Sequence, residues 1–190
     1  VQIGTSKSVS VATWNPAVNC SGPSTLAIAF VESNDVFVSI LETAPVLRVR
    51  ETKRLTADGS DDVLNGVNGW LYEEEVSHGT TTLWWSPDGR YLSWLKTNET
   101  LVPVYEFPTY QHENIYPKQK KLHYSKPGTE NPIVDLMICD TKNWKTIATK
   151  RPTTDEFYVT NVVWGPGPTF LFKWSNRLQT IEHISKVDPN

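Results

Sequence analysis

An apolar stretch ending in tryptophan, a turn containing proline with glycine or asparagine, and a second apolar stretch recur three times in this chain, centred on Trp14, Trp85 and Trp164. Such recurrence predicts one supersecondary unit copied along the sequence, each copy burying its faces against its neighbours. Around these anchors the strand signal is alternation of period two. Ser8–Trp14, Thr25–Val31, Asp35–Leu41 and Leu47–Leu55 form a first unit; Thr81–Trp85, Tyr91–Lys96, Ile133–Asp140 and Trp144–Thr149 a second; Phe157–Trp164, Thr169–Trp174 and Thr180–Lys186 the start of a third. Ser86-Pro87-Asp88-Gly89 and Gly165-Pro166-Gly167-Pro168 supply tight turns, because proline presets one dihedral and glycine accepts a positive one. Eight tryptophans, thirteen prolines and ten glycines suit such a turn-rich all-β chain.

The anchors lie 71 and 79 residues apart, beyond the ~40 to 50 of common propeller repeats, so each interval holds an insertion. The expected fold is all-β: a partial β-propeller of about three four-stranded antiparallel blades, a projecting β-arm and a short helical acidic insertion. Propellers close with roughly four to eight blades. Residues 1–190 are therefore expected to be one incomplete propeller from a longer protein, with uncovered sheet edges that make the isolated chain prone to associate.

The first insertion carries Glu73, Glu74 and Glu75 directly after Trp70 and Tyr72. Three adjacent carboxylates repel one another unless water or a cation screens them. Charge alone leaves two readings open: a solvated acidic turn, or an element awaiting a cation. Nearby aromatics favour the second by lowering the local dielectric. The Asn-Gly pairs at 65–66 and 68–69 lead into a turn, and a short helical turn lets two of the three acids converge on one ligand.

Other chemistry is hard to find. A net charge of −3 and a pI near 5.8 give no basic face for nucleic acid. Cys20 and Cys139 stand alone, without metal-ligand spacing, and His78, His112, His123 and His183 lie in unrelated segments. Neither a metal nor a cofactor is expected. Ser93 and Lys96 match a Ser-x-x-Lys pattern, but on a strand rather than the helix that chemistry requires. No Gly-x-Ser-x-Gly elbow occurs in the sequence. The sequons at Asn19 and Asn98 are possible N-glycosylation sites and point to a secretory route; Asn98 is placed in a turn just after a strand.

The runs GWLYEEEV (69–76), LWWSPDGRYLSWLKTNETLVPVYEF (83–107) and YPKQKKLHYSKPGTENPIVDL (116–136) resemble the amino-terminal propeller domain of the dipeptidyl peptidase IV family of serine dipeptidyl aminopeptidases. The resemblance runs in order from about Trp14 to the end. It implies that Glu74 and Glu75 bind the free amino terminus of a peptide substrate, with Trp70, Tyr72 and Glu73 in support. It further implies removal of X-Pro or X-Ala dipeptides by an α/β-hydrolase domain of the same full-length protein, absent from this chain, which is therefore expected to be inactive alone. The arginine the family uses with those acids falls before Val1, so Arg48, Arg50 and Arg54 are not substitutes. The resemblance also implies a homodimer through an arm at 101–131 and a secreted site, or one on the lumenal or extracellular side of a secretory-pathway or vacuolar membrane. A different reading of the same resemblance is a non-catalytic protein-binding or dimerisation propeller.

Overall fold

The structure, a computed structural model, describes residues 2–4, 8–17, 24–110, 115–166 and 169–188. The strands foreseen from alternation are present. β1 (Val9–Trp14), β2 (Thr25–Glu32), β3 (Asp35–Glu42) and β4 (Arg48–Arg54) form an antiparallel meander in chain order. β12 (Phe157–Trp164), β13 (Phe170–Asn176) and β14 (Glu182–Val187) form a second meander of three strands. Between them lies a sheet built from β5 (Val63–Asn65), β6 (Leu83–Trp85), β7 (Tyr91–Asn98), β10 (Ile133–Asp140) and β11 (Lys145–Ala148), in the order β11-β10-β7-β5 with β6 also on β7. β8 (Val104–Thr109) and β9 (Lys118–His123) pair only with each other, as the arm.

The middle sheet departs from a simple four-stranded blade. β5 and β6 occupy one edge position: Val63–Asn65 pair with Asn98–Lys96, and Leu83–Trp85 continue along Trp94–Leu92. One edge strand is thus split by residues 66–82, and the second unit begins at Val63, before the acidic element, rather than at Thr81. Three residues whose last opens the Asn65-Gly66 pair signal a turn more strongly than a strand, which is why β5 escapes the sequence pattern.

Two apolar layers hold the three sheets together. Ala29, Val31 and Val38 of the first sheet meet Leu92 and Trp94 of the second. On the other face, Tyr91, Leu95 and Leu136 meet Val159, Val162, Phe170 and Phe172 of the third. Successive residues of β7 therefore alternate between two buried faces, as strand geometry requires of the central layer in a stack. The outer face of the third sheet leaves Val163 and Ile184 exposed.

Hydrogen bonds fix how the layers sit. The Trp85 indole N–H donates to the Thr13 carbonyl at 3.3 Å, and that of Trp164 to the Trp84 carbonyl at 3.1 Å. Each repeated tryptophan thus reaches the residue that precedes the corresponding tryptophan of the previous unit. The turn between β6 and β7 is closed locally: Ser86 Oγ donates to Asp88 Oδ1 and accepts from the Tyr91 amide, and Gly89, at φ +70°, donates its amide to the Ser86 carbonyl. Asn15 Nδ2 then donates to the Gly89 carbonyl at 2.8 Å, tying this turn to the first sheet.

Trp85→Phe keeps a ring in the interface and removes the donor, so it should lower stability by about 0.5–1.5 kcal/mol. Trp85→Ala, which also opens a cavity, should cost about 3–5 kcal/mol. Denaturant midpoints of the two variants separate these terms; a Trp85→Phe variant as stable as wild type would mean that the indole bond contributes nothing.

Candidate functional site

The split in the edge strand is what displays the acidic element. Leu95, the β7 residue facing the gap, keeps its ladder: its carbonyl accepts from the Gly66 amide (2.9 Å) and its amide donates to the Thr82 carbonyl (3.3 Å). The Thr82 amide closes the neck on the Gly66 carbonyl (3.0 Å), and a bridge between Val67 and Thr81 extends it. Gly66 is required here twice over. Its φ is +76°, and a Cβ would meet Leu83 Cδ2 at 2.7 Å and Val31 Cγ2 at 2.9 Å.

Above the neck the chain makes one π-helical turn, Tyr72–Val76, held by the Glu73 amide on the Gly69 carbonyl (3.0 Å) and by the Ser77 amide and hydroxyl on the Tyr72 carbonyl (both 2.9 Å). Asn68 Nδ2 donates to Ser77 Oγ (2.6 Å) and to the Gly79 carbonyl, bracing the return. Five residues of helix have little intrinsic stability, so the turn depends on tethers. Tyr72, 1 % exposed, is buried among third-sheet residues; its hydroxyl accepts from the Val159 amide at 3.2 Å, and burial pushes its phenol pKa well up. Trp70 lays its ring on Tyr124, centroids 4.1 Å apart.

Glu73, Glu74 and Glu75 are all exposed. Among the described residues, no hydrogen bond or ion pair is recorded for any of the three carboxylates. Glu73 lines a cleft of about 620 Å³ with Trp70, Glu99, Lys121 and His123; Glu75 lines another of about 360 Å³ with Val76, Tyr158, Ser175 and Glu182. One expectation needs correcting. The aromatics do not enclose the acids, because they are spent as tethers; Glu73 and Glu75 open onto different depressions.

Several candidates resolve into structural roles. Arg48 pairs with Glu42, and Arg54 with Asp35, whose buried carboxylate also accepts from Thr56 Oγ1 (2.6 Å) and the Gly59 amide (3.0 Å). Ser93 Oγ donates to the Trp84 carbonyl while Lys96 pairs with Asp58; three apart on a strand, they lie on opposite faces. Burial pushes the Cys139 thiol up to about 11, making it an unreactive core residue. Asn98 is half-buried as the last residue of β7, paired with both Val63 and Ile133, and its Oδ1 accepts from the Thr100 amide (2.9 Å). The turn foreseen for Asn98 begins only after it. Asn19, Cys20 and His112 lie outside the described residues.

One acid went unnoticed in the sequence. Glu99, 4 % exposed, lies under the neck of the insertion: a Cβ on Gly69 would fall 1.9 Å from its Oε1. Burial pushes its carboxyl up to about 7, opposed by His123 and reinforced by Asp62. His123 itself bridges the Val102 carbonyl (3.0 Å) and Asp62 Oδ1 (2.8 Å). Nothing in the Asn-Glu-Thr triplet marks Glu99 as buried; the sequon draws attention to its neighbour instead.

A carboxyl with a raised folded-state pKa is stabilising below its unfolded pKa of 4.5, where both states are protonated, and that stability is lost as pH rises through about 7. Glu99→Gln should therefore be more stable than wild type at pH 8 by up to about 3 kcal/mol, with no such advantage at pH 4. Denaturation curves at both pH values test this, and a pH-independent difference would refute it.

A sequence profile described as the dipeptidyl peptidase IV (DPP IV) N-terminal region matches residues 2–190. Among curated proteins, "Probable dipeptidyl-aminopeptidase B" of Metarhizium robertsii is 34 % identical over 197 residues, and that of Sordaria macrospora 35 % over 192. The alignments cover 96 % and 94 % of this chain but 20 % and 19 % of those proteins, so the chain spans about a fifth of the length of the curated relatives it matches. Porphyromonas gingivalis dipeptidyl peptidase 4 superposes with a TM-score of 0.82 at 25 % identity, over 98 % of this chain and 25 % of that one. A putative dipeptidyl aminopeptidase IV from Bacteroides ovatus, at 17 % identity and a TM-score of 0.73, shares the fold.

Proposed function

The chain belongs to the dipeptidyl peptidase IV N-terminal region family, and from that membership we propose that it is the substrate-gating propeller portion of a serine-type dipeptidyl aminopeptidase. In this reading Glu74 and Glu75 receive the free amino terminus of a peptide, and a hydrolase domain of the full-length protein removes X-Pro or X-Ala dipeptides. The observation that carries it is the display of three exposed carboxylates, with no recorded ion pair, on a turn tethered by Tyr72 and Trp70. An α-amine with a pKa near 8 is largely protonated at neutral pH, and its N–H donors suit two carboxylates through charge-assisted bonds. An internal peptide presents a neutral amide and leaves the acids unmatched. Held at a fixed distance from a nucleophile, the pair would restrict cleavage to dipeptides.

The same reading makes the arm a homodimer contact. Its support is the exposure of Tyr105, Tyr110, Ile115 and Tyr116 on a two-stranded projection, since apolar groups clustered on a surface favour association. It also places the protein on the lumenal or extracellular side of the secretory pathway, on the strength of the two sequons. Removing residues 109–117 from the full-length protein should halve its mass in solution by light scattering; an unchanged mass would eliminate the arm as the contact.

In the full-length protein, Glu74→Ala or Glu75→Ala should lower kcat/KM for a free-amine Gly-Pro amide by roughly tenfold to more than a hundredfold, the loss of a charge-assisted bond of about 1.5–3 kcal/mol. Glu73→Ala should matter less. The amine-acetylated substrate should be poor with the wild type and lose little more in either variant, because the partner of the carboxylates is already gone. Equal losses for the two substrates would sink the clamp.

A further inference from the structure

The acidic turn is gripped from two sides, and the second grip leads into the arm. Trp70 precedes the turn by two residues, and its contact with Tyr124 is the shortest ring-to-ring separation among the described residues. Tyr124 follows β9 directly. Its amide donates to the Pro103 carbonyl at 2.9 Å, joining the two strands of the arm where they leave the body, and its ring packs 6.1 Å from Tyr105 of β8. His123, just before it, is pinned to Val102 and Asp62. The root of the arm is therefore a braced platform, and Trp70 rests on it.

We propose that Trp70 and Tyr124 are positioning residues: their close, tilted ring contact transmits the placement of the arm root to Glu74 and Glu75. The inference rests on the amine-clamp reading and adds what holds the clamp in register. Beyond the neck at Gly66 and Thr82, Tyr72 ties the π-helical turn to the third sheet through a single hydrogen bond, the one to Val159. The Trp70–Tyr124 contact supplies a further point, at the root of the arm. An error of about 1 Å in a binding group can cost on the order of a hundredfold, so a short turn with one tether would recognise an amine poorly even with all three acids intact.

In the full-length protein, Trp70→Ala and Tyr124→Ala should each raise KM for a free-amine Gly-Pro chromogenic amide by about tenfold or more, leaving kcat within about twofold. Tyr124→Phe, which keeps the ring, should behave as wild type. The double alanine variant should be no worse than either single one, as for two parts of one contact. Thermal unfolding of each variant separates positioning from global loss of structure, and Trp70→Leu and Tyr124→Leu, which remove the ring but keep apolar bulk, serve if an alanine variant fails to fold. Glu74→Ala is the control. If it raises KM while the ring variants do not, or if the ring effects add, the coupling is overturned. If Glu74→Ala leaves KM unchanged, the clamp falls and the coupling with it.

Discussion

Two indole N–H groups set the phase of the whole stack. Apolar burial is non-directional and would tolerate the sheets sliding over one another. The bonds from Trp164 to the Trp84 carbonyl and from Trp85 to the Thr13 carbonyl remove that freedom, because each joins equivalent points of successive units. Trp14 occupies the same position in the first unit and is 55 % exposed. With both faces of the middle sheet spent on packing, as the alternation of Tyr91, Leu92, Trp94 and Leu95 requires, that sheet offers no face for binding. Chemistry has to be carried by what leaves it.

Residues 66–82 leave without breaking it. Leu95 would lose two ladder bonds if the edge strand simply ended at Asn65, and unpaired buried backbone groups are expensive. The Gly66 amide and the Thr82 carbonyl fill those two places, so the insertion emerges at no cost to the ladder. Only glycine fits at 66, where positive φ coincides with the packed methyls of Val31 and Leu83. The display of the acids thus depends on core residues of two sheets that never touch a ligand.

Much of this was legible in advance. Period-two alternation located the long strands because their buried faces leave no choice of register, and the family resemblance announced the arm within 101–131. The acidic insertion was legible as an element but not as geometry. β5 is too short to show a period, and the Asn65-Gly66 pair at its end reads as a turn. The tethers depend on residues distant in sequence, Tyr72 on Val159 and Trp70 on Tyr124, whose pairing no local pattern encodes. Glu99 was missed for a related reason: its burial is created by Gly69 and by the root of the arm, and it lies just past the end of β7, outside any strand pattern.

The exposure of Glu73, Glu74 and Glu75 changes how a gate built on them must work. Two unit charges 4 Å apart in water attract by only about 1 kcal/mol, against about 4 kcal/mol at the effective dielectric of a partly enclosed protein site. An acid pair left open to solvent would therefore prefer an ammonium to an amide by a factor too small to exclude internal peptides. Strict discrimination requires the carboxylates to lose water as the amine arrives, and Trp70 and Tyr72 do not provide that, since both are committed to tethering. In the proposed function the tethered turn contributes position, while the low-dielectric enclosure must come from the substrate and from whatever closes over it.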